Sequence, residues 1–280
     1  MLRSVPVRVL DDRDRSAVQE ILDRDPVANV FVAARIAACG VDPWRLGAEI
    51  WGFVRDGQLA ALCYSGANLV PVGADLEACQ AFAEKARRQG RRCSSIVGPA
   101  DQVAALWSFL EPEWGPARDV RPNQPLMAIS GPPRVPPDPL VRRVRPDEID
   151  VLFPACVAMF TEEVGVSPIG TDGGALYRAR VAELVSQGRA FARIENGRVI
   201  FKAEVGAATS EVCQVQGVWV DPELRGRGLS NGGMAAVVVL ARRHIAPVVS
   251  LYVNDYNLPA RAAYKKVGFA EIGTFMSVLF

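Results

Sequence analysis

The sequence has little histidine and no clustered cysteine, which restricts the metal chemistry open to it. His244 is the single histidine among 280 residues, so a zinc site built on two histidines is excluded. The cysteines show neither a Cys-x-x-Cys pair nor another spacing typical of metal ligands, and we expect buried, reduced thiols. They are Cys39, Cys63, Cys79, Cys93, Cys156 and Cys213. We therefore expect no metal cofactor.

The sequence also lacks an excess of one charge and a long hydrophobic run. Lysine and arginine number 32 against 31 aspartates and glutamates, whereas a general binder of nucleic acid or anionic membranes normally has a stronger basic excess. No apolar run approaches the roughly 20 residues that cross a bilayer. Residues 1–7 contain no apolar core of a signal peptide. These features predict a cytoplasmic protein without a nucleic-acid or membrane partner.

A proline-rich segment divides the chain. Residues 130–146 contain six prolines, and a run of this kind favours an extended connector because proline fixes φ and removes a backbone donor. We predict a first domain at residues 1–130, a linker at 131–146 and a second domain at 141–280.

The two halves repeat one order of elements: strand, helix, hairpin, strand, long helix, strand, helix. The hairpins turn at Asp56-Gly57 and at Asn196-Gly197, dipeptides that suit a type I′ turn. The first half is predicted to place these elements at residues 6–10, 11–22, 51–64, 69–72, 77–89, 93–97 and 102–110. The second half places them at 140–144, 147–160, 191–205, 212–220, 228–243, 248–253 and 259–267. Two copies of a mixed α/β unit would explain this order.

A glycine-rich turn follows the strand that ends at Val220. Residues 225–230 read Arg-Gly-Arg-Gly-Leu-Ser and lead into a predicted helix. Several N–H groups of such a turn can point at one spot where the helix N-terminus adds partial positive charge, which suits a pyrophosphate. No lysine follows as in a P-loop, and Asn231 stands where a dinucleotide fingerprint has its third glycine. Asp255 keeps a dinucleotide-binding interpretation open, and a purely structural turn also remains open.

The C-terminal segment adds a second motif. Asn257-x-x-Ala260-x-x-x-Tyr264-x-x-x-Gly268-Phe269 matches, residue for residue, the C-terminal signature of the GNAT superfamily of acyl-CoA-dependent N-acyltransferases. Arg225, Gly228 and Ser230 take the positions of that family's Arg/Gln-x-x-Gly-x-Gly/Ala motif. The motifs cover residues 193–280, and the pattern across 141–280 resembles one complete GNAT domain. The resemblance implies an α/β fold of tandem GNAT-like domains, each a mixed, mostly antiparallel sheet flanked by helices.

The resemblance implies acetyl-CoA, or another acyl-CoA, as the cosubstrate. Main-chain groups on the central strand would pair with the pantetheine arm, the glycine-rich turn would hold the pyrophosphate, and the start of the last helix would bind the cosubstrate's arm. The residues implied are Val218, Trp219, Val220, Arg225, Gly226, Arg227, Gly228, Leu229, Ser230, Asn257 and Ala260. Tyr264 would protonate the leaving thiolate. The alternative for Tyr264 is an aromatic side chain that packs on the core.

Direct transfer needs a neutral amine, and therefore a group that takes up a proton. The central strand offers only Gln214 and Gln216 where this family often has a carboxylate. Glu204 is the first candidate base, followed by Glu162 and Glu163. This glutamate pair is expected to open a substrate-side loop at residues 162–174 and to attract a cationic amine. Solvated surface glutamates and a site without a base remain open.

The first half lacks both motifs. Residues 73–77 place two carboxylates at the equivalent turn, where they would repel a pyrophosphate, so we expect a degenerate GNAT-like domain. Segments such as 95–99 and 114–118 resemble the N-terminal domain of actinobacterial two-domain GNAT proteins. Arg118, Arg121 and Gln124 are expected either to line an acceptor groove between the domains or to lie on plain surface.

These observations predict an N-acyltransferase that acts on a primary amine by direct attack within a ternary complex. The acceptor is a small metabolite, an amine-bearing antibiotic or a protein lysine, and the oligomeric state is not indicated. A mycothiol-synthase-like acetyltransferase is one alternative. Another is a non-catalytic sensor of acyl-CoA, which the lack of a carboxylate on the central strand favours. A peptidyltransferase that uses aminoacyl-tRNA fits the neutral charge balance poorly.

Overall fold

A computed structural model describes residues 7–280, so residues 1–6, including Pro6 of the first predicted strand and most of the segment searched for a signal peptide, lie outside it. The described α-helices are α1 Arg15–Leu22, α2 Val30–Cys39, α3 Pro43–Leu46, α4 Leu76–Gln89, α5 Ala100–Trp114, α6 Ile149–Val164, α7 Ala175–Ser186, α8 Leu229–His244 and α9 Leu258–Val267. The strands are β1 Val7–Val9, β2 Glu49–Arg55, β3 Gln58–Ser65, β4 Asn68–Val72, β5 Ser95–Pro99, β6 Asp119–Ile129, β7 Arg142–Arg143, β8 Ala190–Glu195, β9 Arg198–Ala208, β10 Val212–Val220, β11 Val248–Tyr252 and β12 Ala270–Leu279.

These elements form two compact units. The first comprises residues 7–126, 252–255 and 272–280 of the described chain, and the second comprises residues 127–251 and 256–271. The predicted second domain, 141–280, differs from this grouping in the last strand. β12 pairs antiparallel with β5, from Phe275↔Pro99 to Leu279↔Ser95, and these hydrogen bonds hold the chain's last residues in the first unit.

Each unit contains an antiparallel hairpin followed by one parallel strand pair. β2 and β3 form the first hairpin and β8 and β9 the second, with a register shift in each. Asp56 and Asn196 have φ of 52° and 50°, as a type I′ turn requires. The parallel pairs are β4 with β5 and β10 with β11. The prediction of a mixed, mostly antiparallel sheet flanked by helices is confirmed.

Successive side chains of a strand point to opposite faces, and in the first unit both faces of the sheet carry a hydrophobic core. Trp51 and Phe53 of β2 belong to the core under α4 and α5, whereas Ile50 belongs to the core under α1 and α2. In the second unit, α6 and α7 cover one apolar cluster that includes Trp219. Helix α8 buries Met234 and four residues after it, at positions 235–238. The strand β10 is therefore held inside the second unit.

Several elements were not predicted from the sequence. They are α2, α3, α7, β6 and β12. Helix α6 also extends to Val164, four residues beyond its predicted end, so Glu162 and Glu163 lie in its last turn. The irregular segment expected at residues 162–174 therefore begins at Gly165. The helix ends at Gly165, whose φ of 78° is the left-handed conformation typical of a residue that ends a helix.

The proline-rich segment is fastened to the second unit. The N–H of Arg134 donates to the carbonyl of Val267 at 2.8 Å, and that of Asp138 donates to Gly232 at 2.9 Å. The Asp138 carboxylate also forms an ion pair with Arg193 at 2.9 Å. A proline-rich chain cannot supply its own regular hydrogen bonds, so the bonds to neighbouring elements set its path.

The glycine pair at the start of α8 yields a test of packing. A Cβ at Gly233 would lie 2.7 Å from ring carbons of Phe201, a buried aromatic residue, whereas a Cβ at Gly232 would approach no atom closer than 3.4 Å. We expect Gly233→Ala to lower the free energy of unfolding by about 1–3 kcal/mol through overpacking. The matched Gly232→Ala change should be neutral or stabilising, because alanine favours helix interiors by about 0.5–1 kcal/mol over glycine. Urea unfolding of both variants measures the difference, and a Gly233→Ala protein as stable as the control would contradict this packing.

Candidate active site

The strand β10 leaves regular pairing at a bulge. Gln216 pairs with Glu204 and Trp219 pairs with Lys202, so three steps along β10 oppose two along β9. Gly217, inside the bulge, has a φ of 58°, and a Cβ there would lie 3.0 Å from Met159 Cε and 3.2 Å from Glu204 Cδ. Glycine thus satisfies both the backbone conformation and the tight packing of this bulge.

On its other edge, β10 is paired over only part of its length. The parallel register with β11 runs from Val212↔Val248 to Gln214↔Ser250, and for the described residues it ends there, although β10 continues to Val220. Backbone groups on this edge at residues 218–220, apart from the Val220 carbonyl that accepts from Arg225 Nε, are therefore left to pair with another extended chain. The open edge fits the linear arm of a pantetheine.

The glycine-rich turn connects this strand to α8. An ion pair between Arg198 and Asp221 fixes its start and holds the pKa of that carboxyl below its usual range. Gly226 and Gly228 have φ of 78° and 75°, and Gly228 precedes the first residue of α8. No side chain caps this helix, and a Cβ at Gly226 would meet no atom within 4 Å. The turn thus presents a helix N-terminus to open space, which fits a pyrophosphate group.

The two arginines of the turn differ in their surroundings. Arg225 Nε donates to the carbonyl of Val220 at 3.0 Å, and its Nη2 donates to Glu162 Oε2 at 2.7 Å. The other oxygen of Glu162 accepts from Trp219 Nε1 at 3.3 Å. Arg227 is exposed and makes no hydrogen bond or ion pair with the described residues. Arg225 is therefore held in place, whereas Arg227 is an exposed charge without a partner among the described residues.

Helix α9 carries the residues of the C-terminal motif. The Oδ1 atom of Asn257 caps the helix by accepting from the N–H of Ala260 at 3.2 Å, which leaves the amide nitrogen of Asn257 for a ligand. Tyr264 packs beside Phe269, with ring centres 6.0 Å apart. Tyr264 is buried, 6% exposed, and its hydroxyl makes no hydrogen bond to a described residue.

Glu204 lies in a buried ion pair. Its carboxylate accepts from Lys202 Nζ at 3.1 Å and from Gln216 Nε2 at 3.1 Å, and the two charged residues are only 1% and 7% exposed. Lys202 also donates to Cys156 Sγ at 3.4 Å. Burial opposes the charge on Lys202, but Glu204 and Cys156 outweigh it and raise the lysine's pKa. Both hydrogen bonds thus engage the Glu204 carboxylate within the second unit.

The charge of Glu163 acts on Tyr264. Burial raises the pKa of Tyr264, and the negative charge of Glu163 raises it further. Burial also raises the pKa of Tyr177, whose hydroxyl donates to the carbonyl of Cys156 at 3.1 Å, and Cys156, Glu204 and Glu163 raise it further. Glu163 itself is exposed at the end of α6. The structure thus brings Glu163 into the electrostatic neighbourhood of Tyr264 and places Glu204 in a separate buried pair.

Sequence reasoning missed Lys202 and the contacts of Glu162. A lysine two positions from a glutamate on one strand shares a face with it, and this spacing within the apolar run of β9 was an available signal for the buried pair. The bonds from Trp219 and Arg225 to Glu162 join residues 57 and 63 positions apart in sequence. No local pattern contains that information.

The equivalent helix end in the first unit is already filled. Asp75 caps α4 by accepting from the N–H of Ala78 at 3.0 Å, and Arg55 bridges Asp75 and Glu77 at 2.7 Å to each. The helix dipole and the arginine are thus neutralised by the chain's own carboxylates. That this turn does not bind a pyrophosphate stays a prediction.

The three residues proposed for an acceptor groove have structural partners in the first unit. The N–H of Arg118 donates to the carbonyl of Leu279 at 2.8 Å, and Arg121 forms an ion pair with Asp119 at 2.8 Å. Gln124 is 3% exposed and bonds to Ser277 at 2.7 Å and to Asn254 at 2.8 Å. Their part in binding an acceptor stays a prediction.

The remaining expectations concern cysteines, metals and membranes. All six cysteines are free; Cys39 is half-buried and the other five are buried. Residues 7–280 contain no group of three histidine, cysteine, aspartate or glutamate side chains able to hold a metal ion. Among the helices of that range, none combines the length and hydrophobicity needed to cross a membrane.

Two family models match the sequence. The acetyltransferase (GNAT) family matches residues 174–269, which include β10, the glycine-rich turn and α9. A domain of unknown function, DUF4081, matches residues 48–152. No curated protein matches the sequence significantly.

Solved structures match the fold over nearly the whole chain. A GNAT-family acetyltransferase from Colwellia psychrerythraea is 11% identical, with a TM-score of 0.58 over 98% of this chain and 99% of its own. A GCN5-related N-acetyltransferase from Sphaerobacter thermophilus is 17% identical, with a TM-score of 0.61 over 98% and 95%. A tandem GNAT protein from the clavulanic acid biosynthesis pathway is 16% identical, with a TM-score of 0.52 over 98% of both chains. Residues 174–269 therefore match the acetyltransferase (GNAT) family, and nearly the whole chain shares the fold of these solved GNAT structures.

Proposed function

We propose that the protein is an N-acyltransferase that transfers an acetyl group from acetyl-CoA to a primary amine by direct attack within a ternary complex. The observation that carries the proposal is the open edge of β10 beside an uncapped helix N-terminus at Gly228. The hydroxyl of Tyr264, which lies in the same unit and makes no hydrogen bond to a described residue, adds a proton donor. An extended thiol ester with a pyrophosphate needs this combination of a strand edge, an anion site and an acid.

The chain's own groups would hold acetyl-CoA at three places. The main chain of residues 218–220 would pair with the pantetheine arm, and the N–H groups of residues 226–230 would bind the pyrophosphate with help from Arg227. The amide nitrogen of Asn257 would donate to the arm. Acetyl-CoA supplies an activated carbonyl carbon, to which the amine nitrogen adds as the carbon–sulfur bond breaks.

Tyr264 is proposed as the general acid that protonates the departing sulfur. Burial and Glu163 raise the pKa of its phenol, so the hydroxyl keeps its proton at neutral and moderately alkaline pH. A side chain that is protonated before the reaction can give its proton when the thiolate forms.

Glu163 is proposed as the base that accepts a proton from the amine. It is exposed, and its charge acts on Tyr264. Glu204 ranks behind it, because its carboxylate already accepts bonds from Lys202 and Gln216 in a buried position. An exposed carboxylate can attract a cationic amine and take its proton without breaking a buried ion pair.

The acceptor is proposed to be a small-molecule amine or a protein lysine. The cytoplasm is the proposed location, because six free cysteines suit a reducing compartment. A mycothiol-synthase-like metabolite acetyltransferase remains an alternative within the same reaction class.

The cosubstrate site is tested by reversing the charge of Arg227. We expect the wild-type protein to bind acetyl-CoA and Arg227→Glu to raise the Kd by about tenfold or more, since a carboxylate would then face the pyrophosphate. Arg243→Glu is the matched control, because Arg243 is also exposed and lies at the other end of α8. Calorimetric titration measures both variants. A wild-type protein that binds no acyl-CoA, or equal Kd values for the two variants, would overturn the proposed site.

The general acid is tested with Tyr264→Phe. We expect an unchanged Kd for acetyl-CoA and a kcat lowered by about 10²–10⁴-fold, measured with the best acceptor from a panel of primary amines. Because the phenol's pKa is raised, wild-type kcat should show no fall from its ionisation up to about pH 10. Unchanged turnover in the variant would rule out the acid role, and a protein that binds acetyl-CoA without turnover on any amine would favour the sensor alternative.

The base is tested by comparing Glu163→Gln with Glu204→Gln. Without a base only the neutral amine reacts, so Glu163→Gln should lower kcat/KM by about 10²-fold or more near neutral pH and recover as the pH rises toward the amine's own pKa. Glu204→Gln should leave the shape of this profile unchanged but lower the free energy of unfolding, because Lys202 loses its buried counter-charge. The reverse pattern of profiles would identify Glu204 as the base.

A further inference from the structure

We propose that Glu162 is a positioning residue that orients the guanidinium of Arg225 toward the pyrophosphate of acetyl-CoA. The inference rests on the proposed function and assigns Glu162 a role different from the amine binding expected from the sequence. It is carried by three hydrogen bonds that meet at the end of α6, the end of β10 and the glycine-rich turn.

Arg225 is held by two acceptors on different elements. Its Nη2 donates to Glu162 Oε2 at 2.7 Å, and its Nε donates to the carbonyl of Val220 at 3.0 Å. Two bonds to a planar guanidinium restrict its orientation, and three of its five N–H donors remain for an anion. Arg227, two residues later, has no such partner in the described chain. Only Arg225 therefore has its guanidinium oriented before a ligand binds.

The second oxygen of Glu162 connects the same carboxylate to the strand. Trp219 Nε1 donates to Glu162 Oε1 at 3.3 Å, and Trp219 lies directly after the β10 bulge. Since both oxygens are used, Glu162 is poorly placed to bind an incoming amine. Glu163, the next residue, is the proposed base. The two adjacent glutamates thus have separate tasks.

The exposure of the Glu162–Arg225 ion pair makes it possible to distinguish a positioning role from a contribution to the stability of the fold. The side chains of Arg225 and Glu162 are each 46% exposed. Ion pairs in such surroundings contribute little to the free energy of unfolding. Loss of the Glu162 carboxylate should therefore leave the fold intact and appear in the binding of a ligand that carries a pyrophosphate.

The test compares Glu162→Ala and Glu162→Gln with two ligands, acetyl-CoA and acetyl-pantetheine, of which the second lacks the pyrophosphate. We expect Glu162→Ala to raise the Kd for acetyl-CoA about tenfold, because a held guanidinium then becomes mobile. The Kd for acetyl-pantetheine should not change. Glu162→Gln should retain tight binding, because the amide oxygen still accepts from Arg225. Thermal unfolding checks that all the variants are folded.

A double-mutant cycle asks whether Glu162 acts through Arg225. We expect Arg225→Ala to weaken acetyl-CoA binding and the Glu162→Ala/Arg225→Ala protein to bind no more weakly than Arg225→Ala alone. Additive losses would overturn the inference, and so would equal losses with acetyl-pantetheine or a Glu162→Ala protein that binds like wild type. In each of these cases the wild-type protein still binds acetyl-CoA, so the proposed function stands. A wild-type protein that binds no acetyl-CoA would overturn both.

Discussion

Backbone hydrogen bonding of β10 is the constraint on which the second unit depends. Between Val212 and Gln214 the strand is paired on both edges, and beyond Gln214 its described pairing is with β9 alone. An unpaired strand edge is unfavourable unless another group satisfies it. The bulge at Gly217 and the turn after Val220 both lie in this half-paired stretch, so the candidate site is built where the sheet's own bonding stops.

Polar side-chain contacts hold this half-paired stretch of β10 in place. Lys202 and Glu204 hold Gln216 just before the bulge, and Glu162 holds Trp219 just after it. A buried pair of opposite charges contributes little net stability, but it is costly to break and so restricts the chain to one arrangement. The irregular strand is in this way kept in one conformation, as a site that acts on a defined ligand requires.

The local parts of this arrangement could be predicted from the sequence. The turn at residues 225–230 depends on neighbours within a few positions, and its residue types are specific to that geometry. The turns at Asp56 and Asn196 could be predicted for the same reason. Contacts between segments distant in sequence could not be predicted, as for Glu162 with Arg225 or β12 with β5. Those contacts depend on how whole elements pack, and an isolated strand pattern is compatible with several neighbours.

The placement of the last strand has a consequence for dividing the chain into pieces. β5 is bonded by β12, although their paired residues lie 176 to 184 positions apart in sequence. A fragment cut within the proline-rich segment would keep β5 and lose β12, and its apolar residues Met276 and Val278 would leave the core that they share with Trp107. The exposed edge would then be a template for pairing between molecules, so such a fragment would be prone to aggregation. The edge of β5 is exposed in the same way while the chain is being synthesised on the ribosome, because the first unit stays incomplete until β12 emerges.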